Sequence, residues 1–397
     1  MSMVLRHGMV WDGLASEPIP ADLLLDDGVI SGVYGVGKAP GGALEVALDG
    51  AFVVPGLVDS HVHLVWSGGP DPVRVVDSEG EQLTVVRAVA NARAQLDSGV
   101  TMVRDLGSNW DIAVTVARAI DRGIVDGPTV VAAGRTVIMT GGHDPFWGIF
   151  SDGADAVTRA VRQQVSIGAG VLKTAATGGV YGQSEGEEIG QSELSYAELA
   201  VLAKEAHRFG KRVAAHALGT EGIRNAVRAG VDTIEHGVFL TEEIVEAMRT
   251  QGTVLCPTLA TYRALAEGPE VPAYAAEKAR TVVTAHRESF AMALDAGVPV
   301  IAGTDAGAPH IGHPSLVAEL EMLHDYGLPL LDALRAGTSR AATALDRVGG
   351  VIQPGAPADL LIVEDDPFQS LANLRRVWGV VRRGTPVSAL RNRVRHG

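Results

Sequence analysis

The middle of the chain alternates between two hydrophobic patterns. Short runs rich in apolar and β-branched residues predict strands, and longer stretches with apolar residues at helical spacing predict helices. The predicted strands cover residues 57–63, 100–105, 129–135, 171–176, 212–217, 232–236, 253–257 and 299–304. The predicted helices cover residues 82–98, 111–122, 155–167, 195–209, 221–229, 242–250, 275–296 and 315–326. Eight strands that alternate with helices predict an α/β fold of the (β/α)8 TIM barrel type, with a doubly wound open sheet as the alternative.

Both ends of the chain carry strand patterns without long helical stretches. These patterns cover residues 3–11, 22–34, 44–54, 358–363 and 377–381. Because chain termini often lie close together, strands from the two ends can complete one unit. We therefore expect residues 1–54 and 351–397 to form a small composite β-sandwich domain, and residues 55–350 to form the barrel domain.

Composition narrows the possible partners. The 397 residues are 46% hydrophobic and 20% charged, which is typical of a globular protein with a large core. The formal net charge of -14 argues against nucleic acid and against an anionic membrane as partners, because both require basic surface. The single cysteine, Cys256, excludes an intramolecular disulfide, and the amino-terminal residues do not resemble a signal peptide. We expect a cytoplasmic homo-oligomer that acts on a small molecule, although no motif sets the number of subunits.

A pair of histidines ends the first predicted strand, in the run His61-Val62-His63. Side chains alternate along a strand, so residues two apart point to the same face. Both imidazoles would then face the carboxyl end of the strand, where barrel active sites lie, and imidazole is a common zinc ligand. By itself this spacing also fits two surface histidines.

Three more metal-binding side chain types end other predicted strands. His216 ends the fifth strand, His236 the sixth and Asp305 the eighth. Taken singly, each has a simpler explanation, since a histidine can be a buried hydrogen-bonding residue and Asp305 can cap a helix. Five such side chains at the same rim of a barrel are better explained by a metal site.

Lys173 lies within the apolar run of the fourth predicted strand. A buried lysine is unfavourable unless it is paired or neutral. A neutral lysine that takes up CO₂ becomes a carbamate, an anionic group that can bridge two metal ions. Taken alone, Lys173 is better explained by a salt bridge to a neighbouring strand.

Together these motifs resemble the amidohydrolase superfamily over nearly the whole chain. The features that match are the strand-rich ends, Lys173, His216 and the runs at residues 55–63, 234–237, 303–305 and 355–360. Within the superfamily the chain is most similar to the prolidase and imidazolonepropionase-like branch. The stretch from Lys173 to Val180 resembles the binuclear peptidases, whereas mononuclear imidazolonepropionases are not expected to carry this lysine.

The resemblance implies a centre of two divalent ions. Zinc is the expected metal, and manganese, cobalt and iron also suit nitrogen and oxygen ligands. The implied arrangement places one ion on His61, His63 and Asp305 and the other on His216 and His236, with carbamylated Lys173 as the bridge. Such paired ions activate water and polarise the substrate oxygen. Asp305 would also be catalytic, taking the proton of the attacking water and passing it to the leaving amine.

Two further residues are candidates for contact with the substrate. His143 follows the third strand in Gly141-Gly142-His143-Asp144, and the resembled branch implies a catalytic, substrate-binding histidine here. A histidine on a surface loop is the alternative. The next residues, Asp144 to Trp147, depart from the branch and leave the substrate class open. Tyr262, after the seventh strand, can bind substrate, although a packing role explains it better.

The loop at residues 183–188 carries three carboxylates, Glu185, Glu187 and Glu188. Near a barrel rim they could favour a cationic substrate. Runs of charge are more often solvated loops, so we expect a solvated loop here.

The function that follows is a metal-dependent hydrolase of linear amides, with a dipeptide or an N-acyl amino acid as substrate. A cyclic amide or lactone hydrolase of the imidazolonepropionase kind is the first alternative, and Lys173 counts against it. A deaminase is another, and the same lysine counts against it. A non-catalytic protein with this fold is the third alternative, but such a protein would be expected to lose some of the metal-ligand residues.

Overall fold

The computed structural model describes residues 2–41, 44–182, 187–387 and 390. Its strands are β1 (Met3–Val10), β2 (Ile19–Asp26), β3 (Val29–Tyr34), β4 (Leu44–Ala47), β5 (Phe52–Pro55), β6 (Leu57–Val62), β7 (Val100–Asp105), β8 (Thr129–Ala132), β9 (Thr136–Ile138), β10 (Gly148–Phe150), β11 (Leu172–Ala175), β12 (Val213–Ala217), β13 (Thr233–His236), β14 (Val254–Cys256), β15 (Leu360–Val363), β16 (Val377–Arg382) and β17 (Thr385–Pro386). Its α-helices are α1 (Pro72–Asp97), α2 (Ile112–Asp121), α3 (Ala154–Ile167), α4 (Tyr196–Arg208), α5 (Thr220–Arg228), α6 (Glu242–Gln251), α7 (Leu259–Glu267), α8 (Ala273–Asp295), α9 (Leu316–Asp325), α10 (Leu330–Ala336) and α11 (Ser339–Ala344).

Strands from both ends of the chain share one eight-stranded sheet. The strand order is β17-β16-β15-β5-β1-β2-β3, and β4 pairs with β1. The amino-terminal and carboxyl-terminal strands meet where β5 and β15 pair antiparallel, with Val53 opposite Ile362. Side chains of this sheet, among them Leu5, Leu23 and Leu360, form their own buried cluster.

The middle of the chain forms two parallel sheets covered by helices. One has the order β6-β7-β8 and the other the order β10-β9-β11-β12-β13-β14. Neighbouring strands in both sheets run parallel. The fold is therefore α/β with parallel sheets, as the alternating pattern predicts, and seven of the predicted strands correspond to β6, β7, β8 and β11 to β14.

The eighth predicted strand, residues 299–304, forms no regular ladder. Val300 makes one parallel bridge with Leu255, and Ala306 makes another with Val62. The ladder is interrupted because the amide of Ala302 donates to the carbonyl of Ala336 at 2.9 Å, and Asp305 has a positive φ of 57°. The segment nevertheless delivers Asp305 to the ends of the neighbouring strands.

The predicted helices are present, with some differences in extent. The capping box on α4 forms, since Ser195 and Glu198 exchange side-chain to backbone hydrogen bonds. α1 begins ten residues before the predicted start at residue 82, and its backbone is non-helical at Gly80 (φ 71°, ψ 178°). The pattern missed three short helices, α7, α10 and α11, which have nine, seven and six residues. No helix in the described ranges is both long enough and apolar enough to cross a membrane.

Candidate metal centre

All of the predicted site residues meet at one cavity. Its lining includes His61, His63, His143, Lys173, His216, His236, Tyr262 and Asp305. Most of these residues end or follow strands of the two parallel sheets. The carboxyl ends of parallel strands meet at a common edge, which is why positions far apart in sequence converge here.

The carboxylate of Asp305 lies against two of the histidines. Its Oδ1 atom is 3.2 Å from Nε2 of His63 and 3.6 Å from Nε2 of His61. Potential ligand atoms of His61, His236 and Asp305 all lie within 4.8 Å of one another. Two imidazoles and a carboxylate at this spacing are suitable ligands for zinc.

Two of the candidate ligands have unusual backbone conformations. His236 has φ 73° and Asp305 has φ 57°, both in the left-handed region. For a residue other than glycine this conformation costs about 1–3 kcal/mol and is concentrated at functional sites. His236 is the last residue of β13 and Asp305 follows the segment at residues 299–304, so both conformations occur where such a segment ends.

A buried ion pair holds His61 from behind. Nδ1 of His61 is 2.9 Å from Oε2 of Glu235, and Nη2 of Arg104 donates to Oε1 of the same carboxylate at 2.8 Å. Arg104 also donates to the hydroxyl of Thr233 and to the carbonyl of Ser60. A carboxylate bonded to the far nitrogen of a ligand histidine fixes its ring and raises its basicity.

Two other ligand candidates are oriented in the same way. Nδ1 of His63 lies 3.0 Å from the carbonyl oxygen of Gly107, and Nδ1 of His236 lies 2.7 Å from the hydroxyl of Thr258. In each ring Nε2 is the nitrogen left to bind a metal.

The chemistry of this donor set fits metal ions. Nε2 of His216 is buried and has no hydrogen-bond partner among the described residues. Burial, followed by the charge of Lys173, lowers the pKa of His61 to about 4, and burial holds the pKa values of His216 and His236 well below the usual range. These imidazoles are therefore neutral at pH 7, the form that binds metal.

Lys173 is 1% exposed and lies in β11. Burial lowers the pKa of its ammonium, although the nearby carboxylates of Glu235, Asp144 and Asp305 oppose that shift. A lowered pKa increases the fraction of neutral amine, which is the form that carbamylation requires.

His143 lies on the cavity wall rather than on the protein surface. Its ring stacks on that of His216 with 4.0 Å between centroids. Burial alone would lower the pKa of His143, but the carboxylates of Asp144 and Glu187 outweigh it and raise that pKa to about 9.

Tyr262 is buried, and its ring packs edge-on against the ring of His236 with 5.4 Å between centroids. Tyr262 therefore both lines the cavity and packs against a ligand candidate.

The expectation of a solvated acidic loop is wrong for Glu187. This residue is 8% exposed, and its Oε1 atom lies 2.6 Å from Nδ1 of His143. The carboxylate is buried because it pairs with that imidazole and accepts a hydrogen bond from the amide of Gly179. Residues 183–186 of the same loop lie outside the described residues.

Sequence reasoning missed the residues that support the ligands. Glu235 and Arg104 could have been noticed, because each is a charged residue within a predicted strand of the parallel sheets. Trp66 and Tyr181, which line the cavity, carried no such signal. His310 and His313 lie outside the cavity lining and contact Pro269 and Gln95 respectively.

Replacing Glu235 by Gln should weaken both metal binding and folding. The Glu235→Gln change leaves Arg104 buried without its charged partner, which costs about 3–5 kcal/mol of stability. Loss of the carboxylate behind His61 should raise the metal dissociation constant roughly 10–100-fold. Chelator competition and thermal melting would measure both effects, with Glu243→Gln at an exposed ion pair as control. Metal affinity equal to that of the unchanged protein would contradict this supporting role.

Comparison with known proteins identifies the family. The model of the amidohydrolase family matches residues 52–387, so the chain belongs to that family. This confirms the resemblance and the prediction of an enzyme that hydrolyses carbon–nitrogen bonds. Family members are typically metal-dependent, which agrees with the groups of ligand atoms at the site.

Individual relatives include hydrolases of different substrates. Ochratoxinase from Aspergillus niger is 28% identical over 355 residues, covering 80% of this chain and 71% of that protein. Imidazolonepropionase from Salinispora tropica is 26% identical over 363 residues, covering 89% and 88%. A crystal structure of a Xaa-Pro dipeptidase with methionine bound in its active site has a TM-score of 0.91 at 27% identity, covering 98% of this chain and 100% of that one. A prolidase complexed with N-methylphosphonate-L-proline has a TM-score of 0.90 at 30% identity, with the same coverage.

Proposed function

We propose that this protein is a metal-dependent hydrolase that cleaves a linear amide bond in a dipeptide or an N-acyl amino acid. The observation that carries the proposal is the convergence of four histidines, Lys173 and Asp305 on one cavity. The prolidase and dipeptidase structures are similar over 98% of the chain, and the peptidase class is inferred from them.

We also infer that the two parallel sheets are arcs of one (β/α)8 barrel. The segment at residues 299–306 supports this, because its backbone bonds to Leu255 in β14 and to His61 and His63 around the end of β6. On the opposite side, the amide of Gly170, just before β11, donates to the carbonyl of Ala132 in β8 at 2.8 Å. The eight-stranded sheet would be the β-sandwich domain at the chain ends, with the boundaries at residues 54 and 351.

Two divalent ions, with zinc as the first candidate, would be held by the residues of the cavity. His61, His63 and Asp305 would hold one, His216 and His236 the other, and carbamylated Lys173 would join them. When bound, such ions lower the pKa of a coordinated water and polarise the substrate carbonyl.

The side chains then have separate tasks. Asp305 accepts a proton from the attacking water and returns it to the leaving amine. Burial alone would raise the pKa of Asp305, but the hydrogen bond from His63 outweighs it and holds that pKa below the usual range, so the carboxylate is ionised before it accepts the proton. His143 orients the scissile group by donating a hydrogen bond, and Glu187 fixes its ring.

A cyclic amide or lactone hydrolase is the second candidate, and the similarity to imidazolonepropionase supports it. Lys173 favours the linear-amide proposal, because a bridging carbamate serves two ions. A non-catalytic role is disfavoured, because every expected ligand is retained at the cavity.

The test is amine release by zinc-loaded protein from a panel of dipeptides and N-acyl amino acids. Lactones and cyclic amides are assayed in parallel by the change in pH on ring opening. We expect turnover of linear amides that is lost after chelation and restored by added metal. Turnover of cyclic substrates alone would overturn the linear-amide proposal in favour of the second candidate.

A further inference from the structure

The cavity wall contains one carboxylate that the proposed metal centre does not use. Asp144 lines the cavity and is 6% exposed. Its Oδ1 atom is 3.3 Å from Nε2 of His143.

The same wall offers few cationic groups. Among the described residues that line the cavity, Lys173 is the only lysine or arginine, and the proposed function assigns it to the metal ions. Beyond the ions and His143, the described lining therefore offers Asp144 to an ammonium group of a substrate, and it offers no lysine or arginine other than Lys173 to a second carboxylate.

The backbone directs Asp144 inward. Its φ is 63°, in the left-handed region that aspartate and asparagine tolerate better than most residues. The turn closes where the amide of Trp147 donates to the carbonyl of Asp144 at 3.3 Å. The carboxylate is thus presented by a tight turn rather than by a long, mobile side chain.

An apolar wall lies beside this turn. Trp66 lines the cavity and packs against Trp147 with 4.5 Å between ring centroids. Tyr181 meets Trp66 edge-on at 5.7 Å and lines the cavity as well. Aromatic rings of this kind bury large apolar area and suit an aromatic or aliphatic side chain. A carboxylate and an apolar surface on neighbouring parts of one wall match the amino group and side chain of a single amino acid.

We propose that Asp144 binds the protonated amino group of a dipeptide and that Trp66 and Tyr181 receive the side chain of its first residue. This inference rests on the proposed function and narrows it. The substrate would be a dipeptide with a free amino terminus and a large apolar first residue. N-acyl amino acids, which lack the ammonium group, would be poor substrates.

The test compares phenylalanyl-alanine with its N-acetylated form on the zinc-loaded protein and on Asp144→Asn. The unchanged protein should favour the free amine in kcat/KM at least about tenfold, the scale of one charged hydrogen bond. Asp144→Asn should reduce that preference to near one, since asparagine keeps the backbone conformation and the shape of the side chain but lacks the charge. Asp27→Asn is the matched control, because Asp27 is an exposed aspartate with φ 48°.

A binding measurement accompanies the kinetics. Phenylalaninamide should raise the melting temperature of the zinc-loaded protein more than N-acetylphenylalaninamide does, and Asp144→Asn should remove the difference. Preference of the unchanged protein for the acetylated peptide would overturn the inference. Equal loss of both activities in Asp144→Asn would also overturn it, because Asp144 would then act through His143. If neither peptide is cleaved, the proposed dipeptide hydrolysis fails, and the binding measurement still decides the role of Asp144.

Discussion

Lys173→Ala should lose at least about 10³-fold in turnover and much of its bound metal. The change removes the proposed bridge from the centre of the cavity, where Lys173 is 1% exposed. Four histidines and Asp305 would remain, but no anionic group would join the two ions. Metal content by atomic emission and kcat for a linear amide would measure the two losses.

The bridge can be tested separately from folding. Small carboxylic acids added to Lys173→Ala should restore part of the activity, because a free carboxylate can occupy the position of the carbamate. Metal loading of the unchanged protein should also depend on bicarbonate. Lys204→Ala, at an exposed position on α4, is the control and should behave like the unchanged protein. Unchanged metal content and turnover in Lys173→Ala would exclude the bridge.

Asp305→Asn should reduce kcat about 10²–10⁴-fold, the contribution expected of a general acid–base residue. An amide cannot accept the proton of the attacking water, yet asparagine occupies the same volume and tolerates the left-handed backbone of this position. The variant should therefore fold, and saturating metal offsets the weaker binding by an amide ligand, so the remaining loss would report on proton transfer. The measurement is kcat at saturating metal and substrate, together with the melting temperature.

The control for Asp305→Asn is the same substitution at another aspartate with a left-handed backbone conformation. Asp49 is exposed and has φ 50°, so Asp49→Asn should leave both activity and stability unchanged. If Asp305→Asn retained normal kcat, proton transfer would have to be assigned to another group on the cavity wall, and Asp305 would be a ligand only.

The ligand candidates were predictable because their signals are local. The strands were predictable because their apolar runs are short and separated by helical stretches. The sequence then shows which residues end each predicted strand. His61, His63, His216 and His236 each end such a run, so their convergence followed once the strands were taken as parallel. Lys173 was recognisable as a charge within a buried strand.

The supporting residues were not predictable, because their partners are distant in sequence. Arg104 and Glu235 meet across 131 positions, and Glu187 reaches His143 across 44. Nothing in the sequence near Glu187 distinguishes a carboxylate that pairs with a buried imidazole from one that is solvated. The expected solvated loop was therefore wrong at this residue.

The sequence by itself determined the α/β class, the family and the set of metal-ligand candidates, because periodicity and residue type at strand ends are properties of short segments. Only the tertiary structure decided which carboxylates face the cavity and which side chains hold the ligands in place. Asp144 is the clearest case, since its inward direction depends on a turn at φ 63° and on the packing of Trp66 and Trp147 beside it. Such contacts depend on how distant segments pack, and that information is not contained in any one stretch of the chain.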